Sequence, residues 1–142
     1  METSARNVFC GKVTAVHAGA VNDEVEVAAA GGLSIVASIT QVSTQKLGLK
    51  PGVEVMALIK AGFVLLVEDA EKYLLSTRNQ FAGTIARITI GAVSAEVIVD
   101  LPGGAAITSI VTVGSVERLG LKAGKNITAV VKASQVILAV PK

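Results

Sequence analysis

The sequence predicts a mainly β chain built as two small barrels in tandem, each of about five strands with one short helix. Three observations lead there. Residues 4–70 align with residues 76–142 at a constant offset of 72 without a gap, and about 26 of the 67 pairs are identical, which marks an internal repeat. Within each copy, apolar and polar residues alternate with the period of two that belongs to half-buried strands. Gly31-Gly32 and Gly103-Gly104 punctuate the copies at the same place, where a hairpin turn needs glycine.

The elements follow in order. Residues 7–16 and 24–30 read as the first two strands, Gly31-Gly32 as the turn, and residues 33–39 as the third strand. Residues 40–47 fit a short helix that Thr40 caps and Gly48 ends. Pro51-Gly52 turns the chain into a fourth strand at 53–60, and residues 63–67 are expected to close the copy. The second copy takes the same path, with Pro102-Gly103-Gly104 at its hairpin. Five short strands and a helix in this order suggest a Greek-key barrel of the OB type. The charged segment 68–75 reads as the join, so the expected domains are 1–70 and 71–142. A unit of this size is marginally stable alone. The continuous apolar runs at 64–67 and 136–140 suggest strands covered on both faces, against the other copy or another subunit.

Composition removes many function classes. The chain has 142 residues, 51% hydrophobic and 17% charged, a globular balance. Its aromatic residues are Phe9, Phe63, Tyr73 and Phe81 only, too few for a base-stacking surface. A net charge of +2 is too small for a polyanion-binding face. No apolar run approaches a membrane span, and the first residues lack the pattern of a secretory signal. Cys10 is the single cysteine and His17 the single histidine, which argues against a disulfide, a zinc cluster or a catalytic triad. The expectation is a binding protein and not an enzyme, without nucleic-acid or membrane partners.

The polar residues that recur in both copies carry the chemistry. Ser4 and Arg6 are two apart and share a strand face, as do Ser76 and Arg78. Thr40 with Ser43, and Thr112 with Ser115, bracket the first turn of each expected helix, beside free backbone N–H groups. Lys60 and Lys132 end a strand before a turn. The set is hydroxyls, a guanidinium, an ammonium and amides, with Glu24/Glu96 as the only repeated carboxylate. Such an inventory suits a small oxyanion held by donors alone. Architectural readings stand beside it: Thr40 and Thr112 as helix caps, Ser43 and Ser115 as helix-surface residues, Arg6 and Arg78 in ion pairs, Asn7 and Asn79 at a turn or strand edge, and Lys60 and Lys132 as solvated strand ends. His17 and Cys10 align with Thr89 and Ala82 in the second copy, and their unrepeated identity favours structural roles.

Ser-Ala-Arg-Asn at 4–7, Gly-Ala-Val-Asn at 19–22 and Lys-Ala at 60–61, echoed at 76–79, 91–94 and 132–133, resemble the Mop family of molybdate- and tungstate-binding domains. Two in tandem resemble the di-Mop type of molbindin. The resemblance covers Ser4 to Lys142. It implies OB-like domains, a homotrimer of two-domain chains, and oxyanion sites at domain and subunit interfaces. It also implies no covalent cofactor and no direct protein–metal ligand, since the metal arrives as molybdate or tungstate. Carried over residue by residue, one half of the main site is Ser4, Arg6, Lys60 and Ala61, or Ser76, Arg78, Lys132 and Ala133. The facing half is Thr40 and Ser43, or Thr112 and Ser115, of a neighbouring domain. A second class of site maps to Gly19, Val21 and Asn22, and to Gly91, Val93 and Ser94. Ser94 replaces Asn22 in copy two, and Gly62-Phe63 and Ser134-Gln135 stand where the family often has Pro-Trp. The implied function is cytoplasmic oxyanion binding for storage and homeostasis. An OB-type nucleic-acid module and a non-binding assembly scaffold are the competing readings.

Overall fold

The computed structural model describes residues 1–142 as ten strands and two α-helices in two five-stranded sheets. In the first copy β1 (Asn7–His17), β2 (Asn22–Ala29) and β3 (Leu33–Thr40) form an antiparallel meander, followed by α1 (Gln41–Leu47), β4 (Glu54–Ile59) and β5 (Leu65–Val67). The second copy repeats this as β6 (Asn79–Ile90), β7 (Ser94–Asp100), β8 (Ala106–Thr112), α2 (Val113–Leu119), β9 (Asn126–Val131) and β10 (Val136–Ala139). Both helices begin and end as the sequence predicts. Thr40 and Thr112 Oγ1 accept from the Ser43 and Ser115 N–H groups, each at 3.1 Å. Gly48 and Gly120 take left-handed φ values of 63° and 58° at the C-caps, which a residue with a Cβ adopts at a cost.

One expectation is corrected. Residues 63–67 do not close their own copy. The sheet orders are β10-β4-β1-β2-β3 and β5-β9-β6-β7-β8, so each copy lends its last strand to the other. β5 pairs with β9 through Leu65–Val130 and Val67–Thr128, and β10 pairs with β4 through Val136–Ile59 and Ala139–Met56. Within the single chain the apolar runs are covered on one face: Val64 and Val136 are buried, while Leu65 and Ile137 are 62% and 64% exposed.

The exchange merges the interiors. A single cluster of 26 buried residues draws Ile35, Ala57 and Ile59 from the first copy and Ile85, Ile107 and Val131 from the second. This is how units too small to bury enough apolar surface alone acquire a core. Two asparagines lock the arrangement. Asn79, fully buried, accepts from the Val36 N–H at 2.8 Å and donates to the Val36 carbonyl at 2.7 Å. Asn7 does the same to Thr108, with both bonds at 2.8 Å. Each side-chain amide satisfies an edge-strand N–H and C=O of the other copy, groups that would otherwise be costly to bury. The two hairpin tips also meet backbone to backbone. A Cβ on Gly103 would lie 2.0 Å from the Gly31 carbonyl oxygen, so the repeated glycines serve this contact as well as the turns. No helix is long and apolar enough to cross a membrane.

Candidate functional site at the junction of the copies

Because Asn7 and Asn79 bind the edge strands of the opposite copy, the residue just before each is carried against that copy as well. Arg78 precedes β6 and reaches β2, where one terminal nitrogen donates to Glu24 and the other to Glu26 at 3.1 Å. Arg6 precedes β1 and reaches β7, where it pairs with Glu96. Both guanidiniums are about half exposed, so these pairs contribute little to stability. Their interest lies in what they hold in place.

Arg78 stands in a cleft of about 530 Å³ together with Ser76, Lys132, Ala133 and Ser134 of the second copy and Glu24 and Ser38 of the first. A neighbouring cleft of about 400 Å³ contains Asn22, Ser38, Thr40, Ser43 and Ser134. Ser38 and Ser134 border both. The structure thus brings the Ser76, Arg78, Lys132 and Ala133 set next to the start of α1 with Thr40 and Ser43, across the boundary between copies. Within that helix start, the Thr40 hydroxyl donates to Ser43 Oγ at 2.8 Å, which leaves the Ser43 proton to be given outward. Thr112 Oγ1 and Ser115 Oγ are 2.9 Å apart in the same arrangement.

Of the repeat-equivalent set, Arg6 and the turn that holds Ala61 are placed at the other crossing. Ala61 is buried in a turn packed against β8, the strand that ends at Thr112. Ser4 and Lys60 are exposed, and Lys60 Nζ sits 5.5 Å from the centre of the Phe63 ring. That cation–π contact holds the ammonium beside its own turn. Lys132 has Gln135 at the corresponding place.

The second candidate class lies at the β1–β2 and β6–β7 turns, and Asn22 from it also lines the cleft with Thr40 and Ser43. The Gly19 N–H donates to the buried Asp23 carboxylate at 3.1 Å, and the Gly91 N–H donates to the Ser94 carbonyl at 2.9 Å. The Val21 and Val93 carbonyls accept from Gln41 and Val113 N–H groups at 2.9 and 3.0 Å. Asn22 and Ser94 start β2 and β7. The Val21 and Val93 side chains are 73% and 78% exposed.

Three residues escaped the sequence reading. Ser38 and Ser134 join the two clefts, and neither recurs in the other copy, where Ile110 and Gly62 stand. Glu26 is the third. It accepts from Arg78 and lies 2.8 Å from His17 Nε2. The hydrogen bond with His17, foremost, holds its carboxyl below the ordinary value of 4.5; desolvation, the next largest effect, opposes this, and the charge of Arg78 adds to the lowering. The alternation of β2 placed Glu24 and Glu26 on one face, but only the fold reveals the partner. No group of three His, Cys, Asp or Glu side chains is placed to hold a metal ion. The site combines many hydrogen-bond donors with the ion-paired carboxylates of Glu24 and Glu26, and the donors suit a small anion.

The chain is similar to proteins of molybdenum metabolism. The TOBE domain matches it twice, over residues 3–66 and 75–138. The molybdenum-pterin-binding protein MopA of Rhodobacter capsulatus is 47% identical over 141 residues, covering 99% of this chain and 53% of that protein. The molybdenum transport protein ModE of Herbaspirillum seropedicae is 44% identical over 140 residues, covering 99% and 52%. The chain therefore spans about half the length of these curated relatives. A crystal structure of the cytoplasmic molybdate-binding protein ModG with molybdate bound superposes with a TM-score of 0.95 at 50% identity, over 99% of this chain and 100% of that one. With both copies matched and relatives this similar, the chain belongs to the TOBE-domain family, as a tandem of two Mop-type repeats.

Proposed function

We propose that the protein binds molybdate or tungstate in the cytoplasm, as an intracellular store or buffer, in sites at the junctions of its copies and subunits. The observation that carries this reading is the end-to-end likeness to molybdate-bound ModG, and the donor-rich junction of the two copies supports it. Each repeat unit, 1–70 and 71–142, acts as one binding domain that completes its partner. Ser76, Arg78, Lys132 and Ala133 face Thr40 and Ser43, and Ser4, Arg6, Lys60 and Ala61 face Thr112 and Ser115. Gly19, Val21 and Asn22, with Gly91, Val93 and Ser94, form the second class, whose exposed valines meet their equivalents in a homotrimer.

The mechanism follows from the ligand's chemistry. Molybdate is a tetrahedral dianion without a proton to donate at neutral pH, so each of its oxygens needs a donor. Arg78 and Arg6 exchange their carboxylate partners for the oxyanion, and the lysines and hydroxyls supply the remaining bonds. Each charge-assisted bond contributes about 1.5–3 kcal/mol net, so several must form together to offset the anion's lost water. Sulfate has the same charge and a smaller radius. A rigid junction leaves some donors out of its reach, and unpaired donors weigh against it.

Native mass spectrometry with molybdate, tungstate and sulfate in turn tests the reading. The expected spectrum is a trimer that retains molybdate and tungstate and releases sulfate. A protein that retains none of the three anions contradicts it.

A further inference from the structure

The two cationic crossings are related by the repeat, yet they are not alike. At the Arg6 crossing the guanidinium makes one ion pair, to Glu96. At the Arg78 crossing both terminal nitrogens are engaged, one by Glu24 and one by Glu26. Glu24 and Glu96 are repeat equivalents. Glu26 has no equivalent, because Ile98 occupies that place in the second copy, and Thr89 stands there for His17. Glu26 is also held: its side chain is only 25% exposed, and its second carboxylate oxygen lies 2.8 Å from His17 Nε2. The surroundings point the same way. Residues 4–70 carry five Lys and Arg against six Asp and Glu, while residues 76–142 carry seven against three. Arg78 faces β2 of the acidic copy, and Arg6 faces β7 of the basic one.

We propose that Glu26 is a built-in competitor for the oxyanion at Arg78, and that it makes the Arg78 half-site the weaker of two otherwise equivalent sites. The inference rests on the oxyanion reading above and goes beyond it by ranking the sites and naming the residue that ranks them. An incoming dianion displaces one carboxylate at Arg6 and two at Arg78. The second of these is tethered by His17, so it stays near the bound anion and repels it. A unit charge about 6 Å from a dianion in a nearly aqueous dielectric changes affinity by on the order of tenfold. A chain built this way fills in two stages, the Arg6 half-sites before the Arg78 half-sites.

Calorimetric titration with molybdate tests the proposal. Arg6→Ala weakens the Arg6 half-site to the level of the Arg78 half-site or below, and Glu26→Gln is then added to it. Gln keeps the size of the side chain and its bond to His17 while removing the charge. The expected result is molybdate binding about tenfold tighter than in Arg6→Ala alone, a gain that mere loss of a structural contact does not produce. Unchanged or weaker binding in the double variant overturns the proposal. A wild-type protein that binds no molybdate overturns the oxyanion reading itself, a separate failure seen before any variant is made.

Discussion

The two copies share a fold and a set of recurring residues, but they differ in how tightly each grips the other. Asn79 is fully buried and bonds both backbone groups of the buried Val36. Asn7 makes the same pair of bonds to Thr108, which is half-buried. Arg78 is held by two carboxylates and Arg6 by one. Ser109 adds a buried bond to the Val64 carbonyl at 2.6 Å, whereas Ala37 stands at its repeat position. Duplication therefore did not leave two interchangeable halves. The residues that clamp the copies are repeated, and the residues that tune each clamp have diverged.

The largest way to break this comparison is through the asparagines. Asn79→Ala leaves a buried N–H and a buried C=O unsatisfied, at about 1–3 kcal/mol each, so chemical denaturation is expected to show a loss of about 2–6 kcal/mol. Asn7→Ala is expected to cost roughly half as much, because its bonds to Thr108 are only partly buried. Equal costs would mean that the two clamps are equivalent. The hairpin tips come next. Gly103→Ala drives a Cβ to 2.0 Å from the Gly31 carbonyl oxygen at a φ of 87°, and about 3 kcal/mol of destabilisation is expected from clash plus backbone strain. Gly104→Ala, with a φ of 91° and nothing within 4 Å, carries the strain alone, about 1–2 kcal/mol.

Binding distinguishes the copies on a smaller scale. Arg6→Ala or Lys60→Ala each removes one charge-assisted bond, worth about 1.5–3 kcal/mol or roughly 10- to 100-fold in affinity, while the oligomer seen by light scattering stays intact. Equal molybdate affinity in variant and wild type would remove these residues from the site. The smallest effect is a titration. Glu26 is depressed below 4.5 by His17 and Arg78. A depressed carboxyl contributes stability above its unfolded value, and that contribution is lost as pH falls through the folded value. By carboxyl NMR its midpoint is expected below 4.5, and His17→Thr is expected to move it upward. An unmoved midpoint would break the link between His17 and Glu26.

Much of this architecture is legible in the sequence. The constant offset reveals the tandem, and Thr40, Gly48, Thr112 and Gly120 mark both helices. The donor-only inventory and the Mop resemblance pointed to the oxyanion. The strand exchange is not legible, for a physical reason. Val64 and Leu66 are identical to Val136 and Leu138 in the other copy, so either strand satisfies either sheet in the same register. Only the path of the join decides between them. The ion pairs escape for a related reason. Arg78 meets Glu24 and Glu26 more than fifty residues away, and no local spacing announces a contact that the exchange of strands creates. Glu26 and His17 are unrepeated, and it is their divergence from Ile98 and Thr89 that matters.

The central claim is that oxyanions lie where the copies cross. Anomalous diffraction at the tungsten edge, from crystals grown with tungstate, tests it most directly. The account predicts anomalous peaks within hydrogen-bonding reach of Arg6 or Lys60 at one crossing and of Arg78 or Lys132 at the other. An anomalous map with no peak near any of these four cations would contradict it.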